Sequence, residues 1–287
     1  MSETILLKAE GISKQFPGVQ ALDDVNFYLR EGEVHVLLGE NGAGKSTLMK
    51  ILAGAYQPDA GKIYLNGNEV AFSNPRQAQL AGIAIIYQEF NLVPYMNVAQ
   101  NIFLGRFPKK NGIFLDHKKM HADAQKLLKS LYLDLDTSLN TISLGTGQQQ
   151  MVEVAKALSV NSKVLIMDEP TASLTETEIE HLFMIIRELK KRGIGIIYIS
   201  HRLQEVHEIG DRVTVLRDGK YIGTHKVKDV TVAELVTMMV GRDIKNMYER
   251  TYLKPGEEAL RVENVMCGKR LRGASITLHT GEIVGLA

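Results

Sequence analysis

The sequence predicts an α/β fold in which helices flank a mostly parallel sheet. Short, mostly apolar segments recur at residues 33–38, 164–167 and 194–199, the last two fully apolar, which is typical of parallel strands buried on both faces. A glycine-rich turn and a segment with helical spacing of apolar residues follow the first of them, over residues 39–52. The 287-residue chain is 45% hydrophobic, which is enough material for a large core.

Antiparallel strands are predicted ahead of this sheet. Apolar residues alternate over residues 6–10 and 25–29, and the turn-forming sequence Phe16-Pro17-Gly18 lies between these segments.

A helical insert is predicted at about residues 96–160, where the apolar spacing is mostly helical and is clearest over residues 118–131. A further helix is predicted over residues 176–192, between the two later apolar strands. Residues 212–224 predict a hairpin that turns at Asp218-Gly219.

The end of the chain repeats its beginning. Residues 260–265 match residues 7–12, and residues 271–287 align without gaps on residues 22–38. We therefore predict three parts, which are a first domain over residues 1–247, a linker over residues 248–258, and the truncated start of a second copy over residues 259–287.

A phosphate-binding loop is predicted at residues 39–47, which read GENGAGKST and match G-x-x-x-x-G-K-[ST] between a strand and a helix. Successive backbone N–H groups of such a loop point at phosphate oxygens, and the helix N-terminus adds positive potential. Lys45 is expected to reach the β- and γ-phosphates, and the Ser46 hydroxyl to bind Mg²⁺. The predicted nucleotide-binding residues of this loop are Gly39, Asn41, Gly42, Gly44, Lys45, Ser46 and Thr47.

Two adjacent carboxylates, Asp168 and Glu169, follow the apolar strand at residues 164–167. Ligand sites of open α/β sheets lie beyond the carboxyl ends of the strands. Asp168 is suited to hold Mg²⁺ through water, and Glu169 is suited to act as the general base that polarises the attacking water.

Residues 144–150, LGTGQQQ, open a helical segment and resemble the signature of ABC ATPases, which is usually L-S-G-G-Q. In the same order as in that family, Gln88 resembles the Q-loop glutamine, residues 172–175 the D-loop and His201 the switch histidine. Phe16 lies where the family has an aromatic residue that stacks on adenine. Over residues 5–245 the chain is similar to an ABC ATPase, a P-loop NTPase core with an N-terminal antiparallel β-subdomain and a helical subdomain.

This resemblance implies roles for further residues. ATP would be clamped between the phosphate loop of one cassette and the signature of another, where Gly145, Gly147 and Gln148 face the γ-phosphate. His201 would contact the γ-phosphate, and Gln88 would bind Mg²⁺ and communicate with membrane subunits. The implied catalytic residues are Glu169, His201 and Lys45, and the implied metal-binding residues are Ser46, Gln88 and Asp168.

Two positions depart from the family pattern, because Gly145 stands in place of the signature serine and Thr175 in place of the D-loop aspartate. Losing the serine hydroxyl is expected to weaken ATP clamping by about 1–3 kcal/mol. Fused two-cassette importers of ribose, galactose and xylose type resemble the chain in these positions, in the tandem repeat and in Met239-Val240-Gly241-Arg242. In that subfamily this signature faces a degenerate phosphate loop, whereas Lys45 and Glu169 would pair with the signature of a second cassette.

The predicted function is ATP hydrolysis that energises import of a pentose or hexose. The expected cofactors are ATP and Mg²⁺, and the expected partners are transmembrane permease subunits, an extracytoplasmic sugar-binding protein and a second cassette, in cis or as a homodimer. Import of purine nucleosides is the second transport hypothesis. A soluble tandem cassette acting on ribosomes is a third, disfavoured by the short linker and by a net charge of +1, which gives no indication of nucleic-acid binding.

The predicted location is the cytoplasmic face of the cell membrane. Residues 1–10 lack a signal-peptide pattern, and no apolar run approaches the about 18 residues of a transmembrane helix. The single cysteine, Cys267, suits a reducing compartment. Any role at a membrane is therefore expected to depend on a partner.

Overall fold

The computed structural model describes residues 4–241, 255–268 and 271–285. The chain divides into two units, Met1–Arg242 and Asp243–Ala287. The predicted boundary at residue 247, residues 248–254 of the predicted linker and the final residue Ala287 lie outside the described residues.

Within residues 4–241, a ten-stranded sheet carries both predicted strand groups. Its strands in chain order are β1 Ile5–Phe16, β2 Val19–Arg30, β3 Val34–Leu38, β4 Ala60–Leu65, β5 Asn68–Val70, β6 Ile83–Ile86, β9 Val164–Asp168, β10 Gly195–Ile199, β11 Arg212–Arg217 and β12 Lys220–Lys226. Across the sheet they follow the order β5-β4-β1-β2-β12-β11-β3-β10-β9-β6. β11, β3, β10, β9 and β6 are parallel, and β5, β4, β1 and β2 form the antiparallel part, so the predicted fold class is confirmed.

The central parallel strands β3, β10 and β9 are mostly apolar because both of their faces are covered. Every residue of β3 and β10 is buried. Successive residues belong to different core clusters, so that Leu165 and Met167 pack on one face of the sheet, and Val164 and Ile166 pack on the other. This arrangement explains why period-two alternation is absent from these segments.

Helices surround the sheet and form the predicted insert. They are α1 Lys45–Leu52, α2 Pro75–Leu80, α3 Val98–Ile102, α4 His117–Ser130, α5 Thr146–Leu158, α6 Glu176–Lys191, α7 Leu203–Ile209 and α8 Val232–Val240. The insert at about residues 96–160 contains α3, α4 and α5. None of the helices in the described part of the chain combines the length and hydropathy needed to cross a lipid bilayer.

A small hairpin interrupts the insert, where the sequence predicts mostly helix. β7 (Lys109–Lys110) and β8 (Phe114–Leu115) pair around Asn111-Gly112. The loop has three residues, 111–113, and Asn111 and Gly112 both have positive φ, 52° and 76°, which asparagine and glycine adopt more readily than other residues.

The second unit contains a hairpin of β13 (Glu258–Cys267) and β14 (Leu271–His279) among its described residues. Its register repeats that of β1 and β2. The equivalent partners are Leu260 with Leu278 and Leu7 with Leu29, and Val265 with Ala274 and Ile12 with Val25. A register shift precedes the second partner pair in both hairpins.

A hydrogen bond from a backbone N–H to a side chain at this register shift is also found in both hairpins. The Asn264 N–H donates to Ser275 Oγ at 2.9 Å, and the Gly11 N–H donates to Asn26 Oδ1 at 3.0 Å. The two copies therefore share a local irregularity in addition to their apolar pattern.

Asn101, on α3, links the segments of the chain before and after that helix. It is fully buried, and its Oδ1 accepts the Val93 N–H at 2.7 Å. Its Nδ2 lies 3.1 Å from the carbonyl oxygens of Val93 and Met96. It also lies 3.3 Å from Thr141 Oγ1, just before the signature segment, residues 144–150. Asn101 thus joins the segment that follows Gln88 to the segment that leads into α5.

We expect Asn101→Ala to lower the free energy of unfolding by about 2–4 kcal/mol, because it leaves several buried backbone groups without a partner. Chemical denaturation of the purified chain measures the change. Asn68→Ala, at an exposed position, is the control and is expected to stay within about 0.5 kcal/mol of the parent. An equally small change for Asn101→Ala would contradict this role.

Candidate functional site

The predicted motifs converge on one edge of the sheet. β3, β10, β9 and β6 are neighbours and run parallel, so that their carboxyl ends lie together. The phosphate loop, residues 39–47, follows β3 and His201 follows β10. Asp168 ends β9 with Glu169 next to it, and Gln88 follows β6. The register aligns Leu37, Ile199 and Asp168, and Ile86 lies opposite Met167.

Glycine is required where the phosphate loop approaches other backbone. A Cβ atom at Gly44, which has φ of +97°, would lie 2.6 Å from the carbonyl oxygen of Ala21 in β2. A Cβ atom at Gly39 would collide with the carbonyl oxygen of Leu216 in β11. Gly42 instead faces open space. The inner side of the loop is therefore packed against β2 and β11.

The outer side of the loop is accessible. Asn41, Gly42 and Ser46 are exposed, and Thr47 is half-buried. α1 has no side-chain cap at its N-terminus. The first N–H groups of a helix lack partners within the helix, so these amides can donate to an anion.

Lys45 is hydrogen-bonded to the backbone of the phosphate loop. Its side chain donates from Nζ to the carbonyl oxygens of Gly39 at 2.7 Å and Glu40 at 3.0 Å. Burial lowers the pKa of Lys45, and the charges of Glu169 and Asp168 oppose this shift. The loop thus holds a cation beside the two carboxylates that follow β9.

Asp168 is half-buried at the end of β9. Burial raises the pKa of its carboxyl group, Glu169 raises it further, and Lys45 and Lys50 oppose the increase. The ionised carboxylate is therefore disfavoured until a cation compensates it. This electrostatic environment suits an acid that binds a cation.

Glu169 and His201 are in direct contact. Glu169 has a positive φ of 46°, which is uncommon for a residue other than glycine, and its N–H donates to the Ile199 carbonyl oxygen at 3.1 Å. Its Oε2 lies 3.2 Å from His201 Nδ1. The Glu169 side chain is 17% exposed and that of His201 is 57% exposed, so the pair faces solvent at the sheet edge.

Gln88 and Phe16 lie at the sides of this edge. Gln88 is exposed and follows Tyr87, whose pKa is raised by burial and by the charge of Asp168. Phe16 ends β1 and makes an edge-to-face contact with Tyr56, with ring centroids 5.4 Å apart. The half-buried Phe16 ring is therefore paired with a second aromatic residue.

The signature segment forms the N-terminus of α5. Gly145 precedes the helix, and its N–H donates to Gln148 Oε1 at 3.2 Å. Nothing lies within 4 Å of a Cβ atom built on Gly145, so a side chain can be accommodated there. Gly147 instead lies against the Glu178 carboxylate of α6. Among the described residues, no hydrogen bond joins this segment to the phosphate loop.

Glu178 belongs to the capping box of α6 and was not identified from the sequence. Its Oε2 accepts the Thr175 N–H and Oγ–H, both at 2.9 Å. These bonds lower the pKa of Glu178, and the Gly147 N–H contributes as well. The pattern T-x-x-E at residues 175–178 predicts such a box, but its contact with Gly147 depends on the packing of α5 against α6.

Two further residues near the site were also missed. Lys50 lies one helical turn beyond Ser46 on α1, and its charge acts on Asp168. The spacing of four residues from Ser46 was the available indication. Tyr87 lies next to Gln88 and gave no separate indication in the sequence.

The part of the chain that the structure describes has no group of three or more His, Cys, Asp or Glu residues that could hold a metal ion.

The family model described as ABC transporter matches residues 22–172. The chain is 52% identical over 282 residues to an import ATP-binding protein of Agrobacterium fabrum named for ribose, galactose and methyl galactoside. It is 47% identical over 283 residues to the galactose/methyl galactoside import ATP-binding protein MglA of Clostridium perfringens. Each match covers 98% of this chain and 55% of the relative, so the chain spans about half the length of these curated relatives.

Solved structures agree with the fold. The ADP conformation of MJ1267, an ATP-binding cassette of an ABC transporter, superposes with a TM-score of 0.73 at 28% identity, covering 83% of this chain and 99% of that one. A nucleotide-free ATP-binding cassette superposes with a TM-score of 0.72 at 26% identity, covering 83% and 96%. The ATP-binding cassette fold includes a nucleotide site.

The raised pKa of Asp168 predicts a cost to stability. An acid whose pKa is higher in the folded chain stabilises the fold fully below the unfolded-state pKa, and this contribution is lost as the pH rises through the folded-state pKa. We expect Asp168→Asn to raise the Tm at pH 7 by about 1–3 °C in the absence of nucleotide and cation. The difference should shrink as the pH falls towards about 4.

Thermal unfolding of both proteins at pH 7 and at pH 5 measures this effect. Asp134→Asn, at an exposed position, is the control and should leave the Tm unchanged. A lower Tm for Asp168→Asn at pH 7 would show that the Asp168 carboxylate is stabilising, contrary to the argument from burial.

Proposed function

The chain belongs to the ABC transporter family, and from this premise we propose that it binds and hydrolyses ATP to energise import of a monosaccharide. The observation that carries the proposal is the convergence of the phosphate loop, Asp168, Glu169 and His201 at one sheet edge. Phosphoryl transfer depends mainly on positioning and on charge stabilisation, and this edge supplies both.

ATP would bind with its phosphates on the phosphate loop. The open N-terminus of α1 supplies N–H donors, and Lys45 supplies positive charge once its Nζ turns from the loop carbonyls towards phosphate oxygens. Phe16, beside Tyr56, offers an aromatic face for the adenine ring.

Mg²⁺ fits the oxygen ligands of this edge. Mg²⁺ prefers oxygen ligands and usually keeps waters and substrate phosphates in its shell. Ser46, Asp168 and Gln88 would hold it, directly or through water. When bound, the ion would neutralise charge on the phosphates.

Glu169 would act as the general base for hydrolysis. Its carboxylate would take a proton from the water that attacks the γ-phosphorus, and the bond from this phosphorus to the bridging oxygen of ADP would break. His201, 3.2 Å from Glu169, would orient that carboxylate and donate towards the γ-phosphate.

A second cassette would complete the site. Gly145 and Gln148 are exposed at the N-terminus of α5, on either side of the buried Gly147, so they are available to the nucleotide of another cassette. We infer that residues 259–287 begin such a cassette, and the matched register of the β13–β14 and β1–β2 hairpins supports this. In a longer chain the second cassette would be in cis, and otherwise a homodimer would supply it.

A groove beside Gln88 is the proposed docking surface for a membrane permease. Its volume is about 570 Å³, and it is lined by Leu80 of α2, by Tyr87, by Arg106 after α3, and by Glu153 and Lys156 of α5. Leu80 is 78% exposed, which is unusual for a leucine. Because Tyr87 precedes Gln88, a partner in this groove would lie next to the nucleotide site.

The import proposal places the chain at the cytoplasmic face of the cell membrane as a peripheral subunit. The relatives named above are called import ATP-binding proteins for ribose, galactose or methyl galactosides, so a pentose or hexose is the favoured cargo. An extracytoplasmic binding protein would deliver the sugar to the permease.

The proposal predicts ATP turnover that depends on Glu169. We expect Glu169→Gln to lower kcat for ATP hydrolysis by at least about 100-fold, because the general base is lost. Nucleotide affinity should change by less than about threefold, because the phosphate loop is untouched. Release of inorganic phosphate measures turnover, and a fluorescent ATP analogue measures affinity.

Light scattering with ATP shows whether the chain associates. Turnover by a homodimer that Glu169→Gln abolishes would support the proposal and show that one cassette suffices. ATP binding without association or turnover would show that the second cassette is required. Failure to bind ATP would refute the proposal.

The signature departure leads to a separate prediction. Gly145 has φ of −65° and open space around a Cβ atom, so Gly145→Ser should change the free energy of unfolding by less than about 0.5 kcal/mol. The added hydroxyl should strengthen ATP-dependent association by about 5-fold to 100-fold, the equivalent of about 1–3 kcal/mol. Sedimentation with ATP and with ADP measures the association, and equal affinity for Gly145→Ser and the parent would exclude a weakened signature.

A further inference from the structure

A buried carboxylate lies beneath the catalytic edge. Glu205, in the first turn of α7, is 5% exposed. Its Oε2 accepts the Ser200 hydroxyl at 2.6 Å and the Tyr198 hydroxyl at 2.9 Å. Its Oε1 accepts the Thr171 hydroxyl at 2.7 Å. Three hydroxyl groups therefore donate to one carboxylate.

Two of these hydroxyl groups come from the loops that carry Glu169 and His201, and the third, that of Tyr198, comes from β10. Thr171 is two residues beyond Glu169, in the loop after β9, and Ser200 immediately precedes His201, in the loop after β10. Both are buried, Thr171 being 3% exposed and Ser200 2% exposed. Glu205 therefore joins the two loops in the protein interior, and the contact of Glu169 with His201 joins them at the surface.

The chemistry of this cluster favours a single arrangement. An ionised carboxylate only accepts hydrogen bonds, so each hydroxyl must turn its proton towards Glu205. The Ser200 oxygen is then free to accept, and it accepts the Arg202 N–H at 2.9 Å. The Arg202 guanidinium lies 3.7 Å from Glu205 and supplies the opposite charge. Both loops are thereby held at fixed distances from one buried group.

We propose that Glu205 is a positioning residue that sets the distance between the general base Glu169 and His201. The inference rests on the proposed function, because Glu205 acts through these two residues and touches no reacting atom. A displacement of about 1 Å in a catalytic group can lower the rate about 100-fold. The hydrogen bonds of Glu205 to the two loops are therefore expected to affect turnover more than nucleotide binding.

Glu205→Gln tests the proposal with little change in volume. The carboxamide removes the charge and replaces one acceptor by a donor, so at least one of the three hydroxyls must reorient or lose its bond. We expect kcat for ATP hydrolysis to fall by at least about 10-fold. The Kd of a fluorescent ATP analogue should stay within about threefold. Thr171→Val, which removes one hydroxyl at nearly constant volume, should lower kcat in the same way to a smaller extent.

Glu33→Gln is the matched control. Glu33 is also 5% exposed, and it accepts a backbone N–H from Arg30 at 2.8 Å and a bond from Arg212 at 3.2 Å. It directly precedes β3 and so lies at the amino ends of the parallel strands, opposite the catalytic edge. If burial of a carboxylate were all that mattered, both variants would lose stability and retain kcat per folded molecule.

Hydrogen exchange provides a readout that does not depend on turnover. Glu205→Gln should raise exchange in residues 169–175 and 200–202, and Glu33→Gln should leave both segments unchanged. Unchanged exchange in these segments, or a kcat for Glu205→Gln within twofold of that for Glu33→Gln, would overturn the proposal. Failure of the parent to bind ATP would instead refute the proposed function, and the exchange result would still decide whether Glu205 holds the loops.

Discussion

The parallel hydrogen-bond ladder of β3, β10, β9 and β6 is the constraint on which the rest of the structure depends. It brings four loops that are far apart in sequence to one edge, and its register determines which residues meet there. Because Ile199 lies opposite Asp168, the residues that follow the two strands, Glu169 and His201, are within contact distance. A shift by one residue would also exchange the core faces of each strand, so burial of both faces fixes the site as well as the fold.

The charges at this edge are arranged for a ligand rather than for the stability of the chain alone. Burial disfavours the charged forms of both Lys45 and Asp168, and the attraction between them is partial compensation. The edge also has an uncapped helix N-terminus and a non-glycine residue, Glu169, with positive φ. The proposed binding of a polyanion together with a cation would account for the concentration of these costs at one place.

Much of the core could be predicted from the sequence, because strands buried on both faces are continuously apolar and the phosphate loop lies between one of them and a helix. β6 has only four residues, and the strands β7 and β8 have two residues each, so these segments are too short to show a clear periodicity of apolar residues. The contacts of individual side chains were beyond prediction. Glu205 reaches Thr171 across 34 residues, and no spacing in the sequence indicates which hydroxyls will surround a carboxylate on the buried face of α7.

The two helix N-termini implicated in binding phosphate are not equivalent. α1 begins without a side-chain cap, so a phosphate meets free amides and the Lys45 ammonium. α5 begins at Gly145, which has no hydroxyl, and the N–H of Gly147 faces the Glu178 carboxylate. A phosphate approaching α5 therefore meets the Glu178 carboxylate, whereas at α1 the charges of Asp168 and Glu169 are opposed by the Lys45 ammonium. Glu178 also caps α6, the helix after the D-loop segment, so the hydrogen bonds from Thr175 hold its carboxylate in place. The difference between the N-termini of α1 and α5 is therefore present within a single cassette.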